Sequence, residues 1–141
     1  MITDLGHPAF AAHDVERTLD SYALLGVRES FRLHHEDGSL MLVYPHVAGD
    51  RFIEVFLGGP LPDPNRRAGF MHLCLLTDDI DAVVEHLGEY GAPIDREPIV
   101  GLDRNWQAWT RDPDGNEIEL MQLSEESPQW RTARSAGQDG D

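Results

Sequence analysis

Residues 111–120 read RDPDGNEIEL. A turn built from Asp112, Pro113, Asp114 and Gly115 runs directly into a segment, Glu117–Met121, with the alternation of a strand. Glu117 and Glu119 fall on one face, and Ile118 and Leu120 on the other. Acidic residues are poor strand formers. A glutamate on a sheet face therefore calls for a partner, and the spacing of the rest of the chain suggests one.

Glu119 has a counterpart, Glu54, 65 residues upstream (119 − 54 = 65). The same shift relates His7 to His72, Asp14 to Asp79, Gly26 to Gly91, Val15 to Ile80 and Ile53 to Ile118. Asp14 and Asp79 are each placed to cap a helix start, and Gly26 and Gly91 each close one. The segments between follow the same order. GHPAFAAH reads as a strand, and DVERTLDSYALLG as a helix with Val15, Leu19, Tyr22 and Ala23 on one stripe. SLMLVYPH and DRFIEVFLGG read as strands, and GPLPDPNRR, with three prolines, as a linker. GFMHLCLLT then reads as a strand, DDIDAVVEHLGEYG as a helix, and NWQAWTRD and GNEIELMQ as strands. The unit is strand–helix–strand–strand–strand, used twice. The expected boundaries are residues 1–58 and 69–123 for the two modules, with a linker at 59–68 and a polar tail at 124–141, together one domain. The last ten or so residues of that tail read as poorly ordered.

Scaffold repeats have reason to duplicate apolar positions and glycines, but not a histidine and a glutamate. Halves related by a pseudo-twofold axis would bring His7, Glu54, His72 and Glu119 together. Two imidazoles and two carboxylates suit zinc, nickel, cobalt, manganese or iron. The two carboxylates balance a 2+ charge, and an octahedral ion would keep two positions for water or a chelating substrate. Such an ion polarises a carbonyl oxygen, and a carboxylate beside it, Glu119 or Glu54, can take a proton from the neighbouring carbon.

Composition narrows the alternatives. The 141 residues carry 11 basic and 26 acidic side chains, a net charge of −15. That surface repels phosphate backbones and anionic lipid, so nucleic acid and membrane are not expected partners. All basic residues are arginine, which excludes Schiff-base and phosphate-loop lysine chemistry. The single cysteine, Cys74, excludes an internal disulfide and a cysteine-cluster metal site. With neither a signal segment nor a long apolar run, the expected location is the cytoplasm.

DPDGNEIEL, HLCLLTDDIDA and HPAFAAHDVERTLDSY resemble the vicinal oxygen chelate superfamily over roughly residues 5–123. That superfamily includes glyoxalase I, methylmalonyl-CoA epimerase, extradiol dioxygenases and the bleomycin and fosfomycin resistance proteins. The resemblance implies an α+β fold of two βαβββ modules in tandem, with mixed sheets curled around a metal site. It implies that His7, Glu54, His72 and Glu119 are ligands, a set most similar to that of glyoxalase I, with Glu119 as base. It further implies a homodimer whose sites are built from two chains. Ala11 and Gly58 stand where enzymes acting on glutathione adducts carry arginine and asparagine. The implied activity is thus a lyase or isomerase acting on another small metal-chelating substrate. An iron-dependent ring-cleaving dioxygenase and a metal-free drug-sequestering protein are the alternatives.

Strand alternation places Cys74 beside His72, Phe52 and Phe56 beside Glu54, and Glu117 and Met121 beside Glu119. Together with Trp106, Trp109 and Arg104, the residues Phe52, Phe56, Cys74 and Met121 form the expected substrate pocket, apolar with few polar groups. His13, His34, His35, His46 and His86 show no repeated partner.

Overall fold

The computed structural model describes residues 6–65 and 70–136. Parts of the expected modules, linker and tail (residues 1–5, 66–69 and 137–141) lie outside the described residues. The chain is α+β, and its described residues divide into two compact units. One holds residues 6–65 with 112–116, the other residues 70–111 with 117–136. No helix among the described residues is long and apolar enough to cross a membrane.

The first unit contains β1 (Ala9–Ala11), α1 (Val15–Leu24), β2 (Arg28–His34), β3 (Leu40–Ala48), β4 (Arg51–Phe52) and β5 (Glu54–Phe56). Its sheet runs β1-β5-β3-β2, with β4 also on β3. The second unit contains β6 (His72–Leu76), α2 (Ile80–Glu89), β7 (Arg96–Val100), β8 (Trp106–Arg111), β9 (Glu117–Gln122) and α3 (Pro128–Ala136), with sheet order β6-β9-β8-β7. In each sheet the first pair is parallel and the others antiparallel. The segment read as a single strand from Asp50 is divided at Ile53, whose N–H bonds to the Pro45 carbonyl. β2 and β7 were assigned to no particular stretch by the sequence.

The shift of 65 residues reappears in the backbone. α1 and α2 begin and end at equivalent positions. Asp14 accepts from the Arg17 N–H and Asp79 from the Ala82 N–H, each at 3.0 Å, satisfying a donor that the first helical turn leaves unpaired. Gly26 (φ +78°) and Gly91 (φ +69°) follow the helix ends in the left-handed region, where only glycine is unstrained. Ala9 opposes Glu54 as Cys74 opposes Glu119, and Leu42 opposes Phe56 as Gln107 opposes Met121.

Apolar alternate residues build each core. In the first unit Val43, Ile53 and Val55 are fully buried, and Phe10 stacks on Tyr22 of α1 at 5.9 Å. In the second, Ala108, Ile118 and Leu120 are buried on one side of the sheet, as are Ile80 and Leu87 of α2. Within the tail, α3 runs as far as Ala136; the last five of the residues expected to be poorly ordered, 137–141, lie outside the described residues. Fully buried Ser127 accepts from the Trp130 N–H, and Pro128 occupies the first turn, where a missing N–H costs nothing.

The turn of the opening stretch is held by Asp112, only 3% exposed. Its carboxylate accepts from the N–H groups of Asp114 and Asn116, from Asn116 Nδ2 and from the Tyr22 hydroxyl. Asp114 in turn accepts from the His13 N–H and the Thr18 hydroxyl. Replacing Asp112 by alanine strands several buried donors. Asp112→Ala is expected to lower stability by about 3 kcal/mol or more in urea unfolding, given 1–3 kcal/mol for each abandoned partner. Burial pushes the Asp112 carboxyl above the ordinary carboxylate range, against the pull of the Asn116 donors. A carboxyl with a higher pKa folded than unfolded holds its proton more tightly when folded. Its contribution is present at low pH and is lost as pH rises through the raised value. The stability advantage of the native protein over Asp112→Asn should therefore shrink as pH climbs out of the ordinary carboxylate range.

Candidate metal centre

The parallel pairing of β1 with β5 sets His7 beside Glu54. It continues ahead of β1, where the Phe52 and Glu54 N–H groups donate to the carbonyls of Gly6 and Pro8, on either side of His7. His7 Nε2 stands 3.2 Å from Glu54 Oε2. In the second unit His72 opens β6, one alternation ahead of the residue facing Glu119, and its Nε2 stands 3.0 Å from Glu119 Oε2. Glu119 is only 6% exposed. In both pairs the carboxylate is the more buried partner and the imidazole the more open one. The structure thus brings His7 to Glu54 and His72 to Glu119. Among the described residues, no cluster of three or more His, Cys, Asp or Glu side chains forms.

The neighbours of the pairs divide the expected pocket. Phe52 shares an aromatic cluster with Tyr44, Phe31 and His46, at ring separations of 6.1, 6.0 and 4.9 Å. Phe56 is one alternation beyond Glu54, between Ala11 and Leu42. Cys74, Glu119 and Trp109 lie abreast on β6, β9 and β8, and Met121 follows one alternation on, buried. Trp109 meets His72 edge-on at 4.9 Å. Trp106 does not join them: three residues from Trp109 on the same strand, it falls on the opposite face of β8. Arg104 occupies the β7–β8 turn in the left-handed region (φ +69°), and no hydrogen bond or ion pair among the described residues ties its exposed side chain to either pair. The sequence reading missed Tyr44, whose hydroxyl donates to Glu54 Oε1. The signal was present, because the shift of 65 residues puts Tyr44 where Trp109 stands.

The model of the Glyoxalase/Bleomycin resistance protein/Dioxygenase superfamily matches residues 4–120. The chain belongs to that superfamily. Solved structures of similar fold include a member of the superfamily from Sphaerobacter thermophilus, 23% identical, with a TM-score of 0.69, covering 86% of this chain and 98% of that one. A glyoxalase family protein from Enterococcus faecalis is 23% identical with a TM-score of 0.69, covering 84% and 96%. A lactoylglutathione lyase from Agrobacterium tumefaciens is 20% identical with a TM-score of 0.64, covering 86% and 94%. At these identities the likeness is one of fold. No curated protein matches the chain significantly.

Whether a cation suits this superfamily member can be tested on the pairs themselves. Two donors each about 2.1 Å from one ion, at a right angle, stand about 3 Å apart. The imidazole–carboxylate separations of 3.2 and 3.0 Å meet that requirement. Imidazole nitrogen with carboxylate oxygen is also a donor set for zinc, nickel, cobalt, manganese and iron, and the ring Nε2 is the atom turned to the carboxylate in both pairs.

Cys74 reports on the second pair. Burial, then the charge of Glu119 and a hydrogen bond to its carboxylate, push the thiol up to about 12. Only the thiolate is nucleophilic, so in the metal-free protein iodoacetamide should modify Cys74 slowly at pH 8, although the residue reaches solvent. Glu119→Gln removes the charge and should speed the modification. An unchanged rate would show that Glu119 does not control the thiol.

Proposed function

We propose that the chain is a divalent-metal-dependent lyase or isomerase of the glyoxalase-like type. It moves a proton next to a carbonyl on a small, metal-chelating substrate. The observation that carries this reading is the histidine–glutamate pair, built twice on one backbone register, with donor separations that suit a cation. His7 and His72 supply neutral nitrogen donors, and Glu54 and Glu119 supply the negative charge that balances a 2+ ion. When bound, the cation supplies polarisation of a carbonyl oxygen. Glu119 takes the proton from the adjacent carbon and returns it, its low exposure keeping bulk water from competing. Trp109 and Met121 provide apolar surface beside it. Ala11 and Gly58 supply neither of the polar side chains expected for a glutathione adduct, which favours another substrate. A homodimer, with the first pair of one protomer completing the second pair of the other, is the assembly the resemblance points to.

Elemental analysis of protein purified without chelator is expected to find a bound divalent ion. Against α-keto thiol adducts and acyl-CoA epimers, Glu119→Gln should lose roughly 100- to 10,000-fold in kcat, the usual contribution of a general base. Protein that takes up no divalent ion, with a function indifferent to Glu119→Gln, would leave a sequestering protein as the better reading.

Sharing of sites has its own test. His7→Ala and His72→Ala should each bind metal poorly. Mixed and re-annealed, they should recover metal in heterodimers, where one site draws both intact pairs. Recovery does not occur if each site is made within one chain.

A further inference from the structure

The two half-sites share a register but differ in what surrounds them. In the first, each oxygen of Glu54 has its own partner: Oε2 faces His7 Nε2, and Oε1 accepts from the Tyr44 hydroxyl. The phenol is itself clamped. Phe31, its cross-strand partner, stacks on it at 4.4 Å with an interplanar angle of 16°. Phe52 meets it at 6.1 Å and His7 at 6.2 Å, both edge-on. A ring already fixed by packing loses little further freedom when its O–H engages a carboxylate. In the second half-site Trp109 takes the equivalent place, but its contact is with His72, and Arg96 lies over its ring at 5.6 Å. Glu119 faces His72, with Cys74 opposite it on β6.

Building on the metal-centre reading above, we propose that Tyr44 is a positioning residue: it holds Glu54 through Oε1 and leaves Oε2, the oxygen facing His7, as the one offered to the cation. Glu54 is thereby the fixed carboxylate of the set. Glu119 has no such phenol on it: Trp109 stands in the equivalent place and contacts His72 instead. Outer partners of this kind orient a ligand and raise metal affinity without touching the metal.

The test is a Co²⁺ titration of the full-length native protein and of Tyr44→Phe, read by affinity and by the visible d–d absorption of the bound ion, with thermal melts alongside. Tyr44→Phe keeps the ring on Phe31 and removes only the hydroxyl. It should bind cobalt with unchanged stoichiometry but roughly 10- to 100-fold more weakly. Its absorption band should change, because Glu54 Oε1 has been released. A merely structural role would lower the melting temperature and leave affinity and band alone. Equal affinity with an identical band overturns the proposal and leaves the metal centre standing. A native protein that takes up no cobalt overturns the metal-centre reading, and this one with it.

Discussion

A carboxylate set into a sheet with little solvent around it is expensive unless something compensates its charge. Glu119 is such a group, and its nearest polar partner is the imidazole of His72, at 3.0 Å. Everything that fixes which face of β9 Glu119 occupies therefore bears on the site. A slip of one residue would exchange Glu119 with Ile118 or Leu120, putting a charge in the apolar core. The Asp112 turn opposes that slip. Its carboxylate gathers the N–H groups of the turn, the Asp112 N–H returns to the Asn116 carbonyl, and Gly115 takes the left-handed conformation that closes it. The hairpin then leaves the turn with Arg111 opposite Glu117 and Trp109 opposite Glu119. The glutamate at the end of the opening stretch is held in place by the aspartate at its beginning.

Much of this was legible because the chain says it twice. Two helices, two caps, two left-handed glycines and the two histidine–glutamate pairs all obey one shift, and the parallel pairings obey it to the residue. What was not legible lies where local physics breaks periodicity. β2 and β7 are edge strands, largely exposed, whose pairing is interrupted by register shifts at Glu29/Phe31, Leu33/His34 and Arg96/Ile99. Each irregularity moves the alternation by a residue and erases the period of two. Trp106 was misplaced for a related reason: counting aromatics in a strand without assigning faces puts Trp106 and Trp109 together, whereas three residues of separation put them apart. The helix α3 was concealed by a polar composition, although a serine followed directly by proline is a helix-start signal.

The repeat also fails at the turns. The residue equivalent to Asp112 is Val47, and the hairpin there carries a register irregularity between His46 and Ala48. Among the described residues, the first sheet has no buried carboxylate to organise its turn, and secures its glutamate differently, through Tyr44 and the aromatic rings around it. One half thus fixes its glutamate's position mainly from the backbone turn, the other mainly from a side-chain donor. Duplication preserved the donors and the strand pairing, and allowed the supports to diverge.

That divergence bears on what the two carboxylates can do. A group that must stay on a cation benefits from a second strong donor that never leaves. A group that must move between two positions is hindered by one. On the proposed reading, Glu54, between a phenol and an imidazole, has the surroundings of the first kind, and Glu119, where Trp109 replaces the phenol and contacts His72 instead, those of the second. The charge of the whole chain acts in the same sense. At −15 its field draws divalent cations and disfavours free anions. A substrate that presents a neutral carbonyl to a bound ion meets less of that repulsion than one arriving as a multiply charged anion.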